Sequence, residues 1–239
     1  MLKKCIKLCW KVILSCLTVI LCAALVAGVV FGVKGYRMYR EAVGRTPVAE
    51  AVDEIRSMEH FTPFDQLPEL YIDAVVSVED HRFWSHGGID VIAIGRALWN
   101  DIRTMSFAEG GSTITQQLAK NLFFSQEKKL ERKFAEVFAA FELESAYSKE
   151  EILELYVNSI YFGSGYYGIY AAAQGYYGKE PSRLSDEEAV MLAGLPNAPS
   201  VYSPDKNPEL AEQRMRQVVN RMLACGVISS REANQLLEG

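Results

Sequence analysis

The chain has 239 residues, a hydrophobic fraction of 49% and a formal net charge of −5. That length allows one large domain or two small ones, with ample apolar material for a core. The charge is uneven: residues 1–40 hold seven Lys/Arg and no acid, which leaves eighteen basic and thirty acidic residues in 41–239, a net of −12. An acidic body behind a short basic start argues against a nucleic-acid binder.

Val12 to Val33 is a stretch of 22 residues without a charge. As a helix it can cross a hydrocarbon core of about 30 Å. Lys3, Lys4, Lys7 and Lys11 precede it, and Lys34, Arg37 and Arg40 follow; the positive-inside rule leans towards a cytoplasmic N-terminus. The run is long for a cleaved signal peptide, and no clear small-x-small site ends it. The expected organisation is a basic cytoplasmic start (1–11), a transmembrane helix (12–33), a juxtamembrane segment of mixed, partly helical character (34–64) and an extracytoplasmic body (65–239). Cys5, Cys9, Cys16 and Cys22 lie in or beside the anchor, and only Cys225 lies in the body. The body therefore forms no disulfide within the chain, and nothing has the spacing of a zinc site.

Pro68 sits where a helix can begin, and Leu70, Ala74, Val75 and Val78 give that helix an apolar face. It delivers Glu79-Asp80, after which the chain passes Phe83, His86 and two glycines. Asp90 then caps a helix from Val91 to about Asp101, with Ile94, Ala97 and Leu98 facing inward. Adjacent acids at a helix C-terminus meet the negative end of the dipole, which makes them poorly placed for stability and raises basicity. They read either as a solvated helix end or as a carboxylate held at a cleft edge for acid–base work.

Gly110-Gly111-Ser112-Thr113 opens the next helix, and Thr113 with Gln116 fits a capping box. The free N–H groups of such a start bind anions, phosphate especially. Gln117, Lys120 and Asn121 fall at i, i+3 and i+4, on one face. The segment suits a phosphate-bearing ligand; the alternative is a capped surface helix with a solvated lysine. Arg132 to Glu144 reads as another helix, with Phe134, Val137, Phe138 and Phe141 on one face. Glu136 shares the other face with Ala139, Ala140 and Leu143. A helix apolar nearly all round is usually buried, so Glu136 is a candidate buried carboxylate, with Lys133 and Arg132 three and four residues before it. The alternative is an intrahelical salt bridge worth only a few tenths of a kcal/mol.

Ser148 with Glu151 caps a helix that runs to about Asn158. Gly163, Gly165 and Gly168 then alternate with Tyr161, Phe162, Tyr166, Tyr167 and Tyr170, which reads as aromatic core or as a saccharide-binding surface. Ala171 to Tyr177 returns to helix, and Gly178 ends it. Ser185 with Glu188 caps a helix to about Gly194; Pro196, Pro199 and Pro204 predict an extended loop. Asn207-Pro208 starts a long helix stopped by Gly226, and Ser229 with Glu232 caps the last. No segment alternates long enough for a strand. The body is expected to be all-α, with about nine or ten helices.

Five of these segments resemble, in order, the motifs of the peptidoglycan glycosyltransferase family (glycosyltransferase family 51), found in bifunctional penicillin-binding proteins and in monofunctional transglycosylases. The matches are Glu79-Asp80-x-x-Phe83-x-x-His86; Gly111-Ser112-Thr113-Ile114-x-Gln116-Gln117-x-x-Lys120-Asn121; Arg132-Lys133-x-x-Glu136; Ile152-Leu153-Glu154 through Tyr156-x-Asn158 to Tyr177-Gly178-Lys179; and Leu192-Ala193-Gly194-Leu195-Pro196 through Tyr202-x-Pro204. The resemblance implies an all-α, lysozyme-like two-lobed catalytic domain behind a single transmembrane helix. Because the chain stops at Gly239, and its Ser-x-x-Lys matches (Ser125 to Lys128, Ser203 to Lys206) lack a Lys-Thr-Gly, it is similar to the monofunctional members.

The family polymerises lipid II into β-1,4 glycan strands with inversion and release of undecaprenyl pyrophosphate. By that resemblance Glu79 is the general base. Lys120, Arg132 and Lys133 neutralise the pyrophosphate, and Ser112, Thr113, Gln117, Asn121 and Asn158 contact substrate. Asp80, Phe83 and His86 shape the substrate-binding loop around Glu79, with His86 as a weaker rival base. Glu136 is a second catalytic carboxylate that orients the basic residues, holds a cation or meets the sugar phosphate. A divalent cation such as Mg2+ is expected to assist without a dedicated metal cage, and no organic cofactor is implied. The implied partners are lipid II, the growing glycan strand, the lipid bilayer and other cell-wall synthesis proteins, at the bacterial plasma membrane. The alternative is a lysozyme-like lytic transglycosylase or hydrolase, which cleaves glycan and needs no pyrophosphate site.

Overall fold

The computed structural model describes residues 2–104, 111–125 and 129–238, and within them the side chains outside 2–9, 98, 101 and 102. The expectations for Gly110, Lys128, Leu98, Cys5, Cys9 and the lysines at 3, 4 and 7 lie outside the described residues or side chains. Among the described residues the fold is helical, and the one extended pairing is an isolated antiparallel bridge between Tyr161 and Tyr167.

Helix α1 (Leu2–Arg45) runs unbroken for 44 residues, roughly 66 Å at 1.5 Å per residue, or about twice the hydrocarbon thickness. From Trp10 on it is long and apolar enough to cross a membrane, and Leu14, Val19, Val26 and Val29 are each more than 60% exposed. An apolar surface of that extent suits lipid. The expected juxtamembrane segment is partly helical, as read. Its first part continues α1, and after Pro47 the short α2 (Val48–Arg56) buries Val48, Val52 and Ile55 in the main core. The packed body therefore starts well before residue 65.

Helix α3 (Glu69–Glu79) begins after Pro68 and stops at Asp80, whose φ of −159° and ψ of 72° leave the helical region. Helix α4 (Val91–Thr104) starts where the Asp90 carboxylate accepts the Ala93 N–H at 2.7 Å, as a cap should. Helices α5 (Ile114–Phe123) and α7 (Lys149–Ser159) each carry a complete capping box, from Thr113 with Gln116 and from Ser148 with Glu151. Between them lies α6 (Leu130–Ala146). Helix α8 (Ile169–Tyr177) ends on a left-handed Gly178, and α9 (Asp186–Gly194) starts on the Ser185–Glu188 box.

The proline-rich stretch departs from the expected extended loop. It forms a 3-10 turn at Leu195–Asn197 and a short α10 (Pro199–Tyr202). Pro196 and Pro199 each sit in the first turn, where the missing N–H costs no hydrogen bond. Helices α11 (Pro208–Cys225) and α12 (Ser230–Glu238) close the chain.

The helices form two groups sharing one core. One packs α1, α5, α6 and α7 together, with α2 on α7; the other packs α3, α9, α11 and α12; α8 touches both α7 and α9. Helix α6 uses both its faces. Ala135, Glu136, Ala139, Ala140 and Leu143 are fully buried, while Phe138 packs against Tyr36 and Tyr39 of α1 with ring centroids 5.3 and 6.0 Å apart.

Asn158 at the end of α7 clamps the segment before α3. Its Oδ1 accepts the Thr62 N–H at 2.8 Å, and its Nδ2 donates to the carbonyls of Thr62 at 2.8 Å and Glu154 at 2.9 Å. Asn158→Ala leaves both Thr62 backbone groups without a partner in a buried place, which should cost about 2 kcal/mol or more. The unfolding midpoint in detergent should fall accordingly; an unchanged midpoint would contradict the clamp.

Candidate active site

Glu79 is the last residue of α3, and its side chain is only 8% exposed. It is not a solvated helix end. Gln117, on α5, donates from Nε2 to Glu79 Oε2 at 2.8 Å, and the Tyr156 hydroxyl donates to Gln117 Oε1 at 3.2 Å, which fixes the amide. The second oxygen, Oε1, accepts no hydrogen bond among the described residues; Arg214 Nη2 on α11 stands 3.9 Å away. One oxygen is thus held, and the other is buried without a hydrogen-bond partner. Burial pushes the Glu79 carboxyl above the ordinary glutamate range, and the neighbouring Asp80 adds to the rise. The Gln117 hydrogen bond, Arg214 and Lys120 pull the other way. The direction agrees with the helix-dipole expectation, but desolvation is the main cause.

Asp80 points away from Glu79. Its carboxylate meets His86 Nε2 at 2.9 and 3.0 Å and accepts the Ile114 N–H of α5 at 3.1 Å. Thr113 Oγ1 donates to the Gly88 carbonyl at 2.6 Å. Phe83 is fully buried, with Lys149 Nζ 4.3 Å from its ring centroid. These groups tie the turn after α3 to the start of α5 and so fix Glu79. Phe83, His86 and Asn158 line none of the three cavities described around Glu79. The His86 side chain is buried and bonded to Asp80. Asp80 and Thr113 wall a chamber of about 240 Å³ behind Glu79.

In front of Glu79 lies a cavity of about 340 Å³ that brings Ser112, Gln117, Lys120, Lys133 and Glu136 together with Arg214. Glu136 is fully buried, with Arg132 Nε 2.9 Å from one oxygen and Lys133 Nζ 2.7 Å from the other. Lys133 also donates to Ser112 Oγ at 2.8 Å. Glu136 therefore holds cations in place. Arg132 is not on the cavity wall: it backs Glu136 and donates to the Ser125 carbonyl at 3.0 Å. Lys120 has no hydrogen bond or ion pair among the described residues. Burial lowers its ammonium from the ordinary lysine value; Glu136 opposes that shift and Lys133 reinforces it. Three cations, Lys120, Lys133 and Arg214, thus share a wall with two carboxylates in an otherwise acidic body. Such a wall suits an anionic group.

Gln117 and Lys120 continue into an adjoining cavity of about 480 Å³, reached also by Asn121, Tyr161 and Tyr167. The glycine–aromatic stretch divides between core and surface. Phe162 and Ile169 are core, whereas Tyr167 is 67% exposed and pairs with Tyr161 at a ring separation of 4.7 Å. Arg214 escapes a sequence reading because α11 carries three arginines and nothing local marks this one as facing the cavity in front of Glu79, while Arg221 turns to the Ser77 carbonyl of α3. Arg214 Nε donates to the Gly194 carbonyl at 3.0 Å, and a Cβ on Gly194 would lie 3.1 Å from Arg214 Cγ. Gly194 was the only nearby signal.

The residues do not fit a resident divalent cation. Asp80, His86 and Asp90 each bring one ligand atom within 4.8 Å of the others. Asp90, however, is bonded by the Arg82 guanidinium and the Ala93 N–H, and Arg82 holds its carboxyl down at about 2. His86 is spent on Asp80, and the cleft carboxylates already face ammonium and guanidinium groups. Hard cations need several free oxygens.

Comparison with known proteins gives the same picture. The family model described as Transglycosylase matches residues 46–223. The chain is 50% identical over 169 residues to penicillin-binding protein 1A of Aquifex aeolicus (strain VF5), covering 71% of this chain and 23% of that one. It is 44% identical over 185 residues to penicillin-binding protein 1F of Bacillus subtilis (strain 168), covering 76% and 26%. The crystal structure of penicillin-binding protein 1A from Haemophilus influenzae aligns over 74% of this chain and 17% of that one, at 25% identity and a TM-score of 0.45. The chain spans about a quarter of the length of the curated relatives it matches. With three quarters of its residues matched by the family model, the chain belongs to the transglycosylase family.

Proposed function

We propose that the chain polymerises lipid II into β-1,4 glycan strands at the outer face of the bacterial plasma membrane, with its N-terminus in the cytoplasm. The observation that carries this reading is the pairing of a buried carboxylate bearing one oxygen without a hydrogen-bond partner, Glu79 Oε1, with the cations Lys120 and Lys133 in one cavity. The acceptor's GlcNAc 4-hydroxyl gives its proton to Glu79 Oε1 while its oxygen attacks C1 of the donor's MurNAc. The new C1–O4 bond forms as the bond from C1 to the pyrophosphate oxygen breaks, and that electron pair leaves with undecaprenyl pyrophosphate. Attack opposite the leaving group inverts C1, from α to β.

A raised pKa makes Glu79 a better proton acceptor than a free glutamate. Lys120 and Lys133 meet the charge that develops on the pyrophosphate, and the position of Lys133 is set beforehand by Glu136 and Ser112. Asn121, Tyr161 and Tyr167 give the sugars of the strand a hydrogen-bonding and stacking surface. No step requires a protein-held metal ion. Glycan cleavage has no use for the cationic wall, which favours the polymerase over the lytic enzyme.

Glu79→Gln should lower strand synthesis from labelled lipid II by roughly 10²- to 10⁴-fold in a folded protein; near-normal synthesis would contradict the assignment. Its stability should respond in the opposite sense. Because the folded state binds the Glu79 proton more tightly than the unfolded chain, wild-type stability falls as pH rises from the ordinary glutamate value through the raised one. Glu79→Gln lacks that loss, so at neutral pH its unfolding midpoint should equal or exceed that of wild type. A clearly lower midpoint would mean that the carboxylate is stabilising.

The rate should be bell-shaped in pH. The acid limb should lie above the ordinary glutamate value of about 4.3, where Glu79 gains its proton. The alkaline limb should lie below the ordinary lysine value of about 10.4, where Lys120 loses its charge. Lys120→Arg should move only the alkaline limb, upward; an alkaline limb indifferent to that change would remove Lys120 from the leaving-group role.

A further inference from the structure

Among the glycines within the described helices, Gly35 is the one whose Cβ would press on the backbone of another helix. A Cβ built there would lie 2.4 Å from Phe134 Cβ, 2.8 Å from the Glu131 carbonyl oxygen and 3.0 Å from the Ala135 nitrogen. The α1 backbone therefore rests directly on the α6 backbone, beside Lys133 and Glu136. Gly28, Gly32 and Gly44 of the same helix have nothing within 4 Å of such an atom, so Gly35 is the one used for close approach. Contacts continue outward from it. Lys34 Nζ pairs with Glu131 at 3.3 Å, Tyr36 meets Phe138 edge-on at 5.3 Å, and the Tyr39 hydroxyl donates to the Glu142 carboxylate. The seam runs from Glu131 to Glu142, about 16 Å of α6.

No joint separates this seam from the membrane span. Gly35 follows the last residue of the uncharged stretch, Val33, by two positions, about 3 Å of helix. Helix α1 is continuous through the junction and contains no proline. The face of α6 opposite the seam carries Glu136 with its two cations.

We propose that Gly35 is a positioning residue: it locks the anchor and α6 into one body, so that the membrane span sets the height and tilt of Lys133 and Glu136 relative to the bilayer. A substrate whose pyrophosphate is tethered to the bilayer by its lipid presents its reacting atoms at a fixed depth. A cleft held at a matching depth needs no search. The activity arms rest on the proposed polymerase reaction; the distance arm does not.

The test uses the full chain with a six-residue Gly-Ser insertion between Val33 and Lys34, which keeps the Gly35 seam but frees it from the span. In detergent its rate on lipid II should match wild type. In proteoliposomes holding lipid II in the same bilayer, its rate should fall roughly ten- to a hundred-fold. Equal relative rates in both settings would overturn the proposal. Gly35→Leu should lower the rate in both settings, with a KM near wild type and a reduced kcat, because the cations beside Glu136 are displaced. A folded Gly35→Leu chain with wild-type kcat would also overturn it; should that variant fail to fold, the insertion still decides.

A spin label on Ser145→Cys at the end of α6, in a chain with its five native cysteines changed to serine, reads the depth without activity. Its distance distribution to the bilayer surface should be narrow in the uninterrupted chain and broad in the insertion. Equal widths would sink the coupling, whereas an inactive wild type with a narrow distribution would fault the polymerase reading alone.

Discussion

The arrangement depends on burying the charge of Glu79. A carboxylate removed from water at the end of an apolar helix is costly, and the fold offsets that cost only in part. Gln117 bonds one oxygen, and Arg214 stands too far from the other for a hydrogen bond. The incomplete compensation leaves a carboxyl that favours its proton and an oxygen free to receive one. Full pairing would have stabilised the chain and removed the base, a trade between stability and function seen widely at active sites.

Glu136, the second buried carboxylate, has the opposite treatment. Arg132 and Lys133 each stand at ion-pair distance from one of its oxygens, 2.9 and 2.7 Å, and Lys133 is thereby held on the far wall. The two acids divide the work by environment: one is left reactive and the other is neutralised. The division is built by different parts of the fold. Glu79 and Arg214 come from α3 and α11 in one group of helices; Gln117, Lys120, Lys133 and Glu136 come from α5 and α6 in the other. The Asp80 carboxylate crosses between them, joining the turn after α3 to the first N–H of α5, and so fixes the spacing of base and cations.

What the sequence made legible is what local chemistry decides. The capping boxes at Thr113, Ser148 and Ser185 appear with both halves formed, and the left-handed glycines at 178 and 226 end their helices as read. Helical period was enough to place Glu136 among buried alanines. Reading failed where two local rules compete or where the partner is remote. Pro196 and Pro199 disfavour helix before them but favour it after, and here the second effect won. The structural contacts of Phe83, His86 and Asn158 with Lys149, Asp80 and Thr62 join segments that no local pattern relates. Arg214 and the Gly35 seam depend on helices far apart in sequence, and no periodicity reports such a meeting. The raised basicity of Glu79 was anticipated from the helix dipole, but burial is the larger cause, and burial is a property of the packed chain.

The most direct test is an infrared difference titration of the detergent-solubilised wild type against Glu79→Gln, which isolates the carboxyl band of that one residue. A band that gains its proton above the ordinary glutamate value, and that moves higher still in Arg214→Ala, is the predicted result. A band titrating at or below the ordinary value would contradict the account, because Glu79 would then be a compensated carboxylate with no excess affinity for the acceptor's proton.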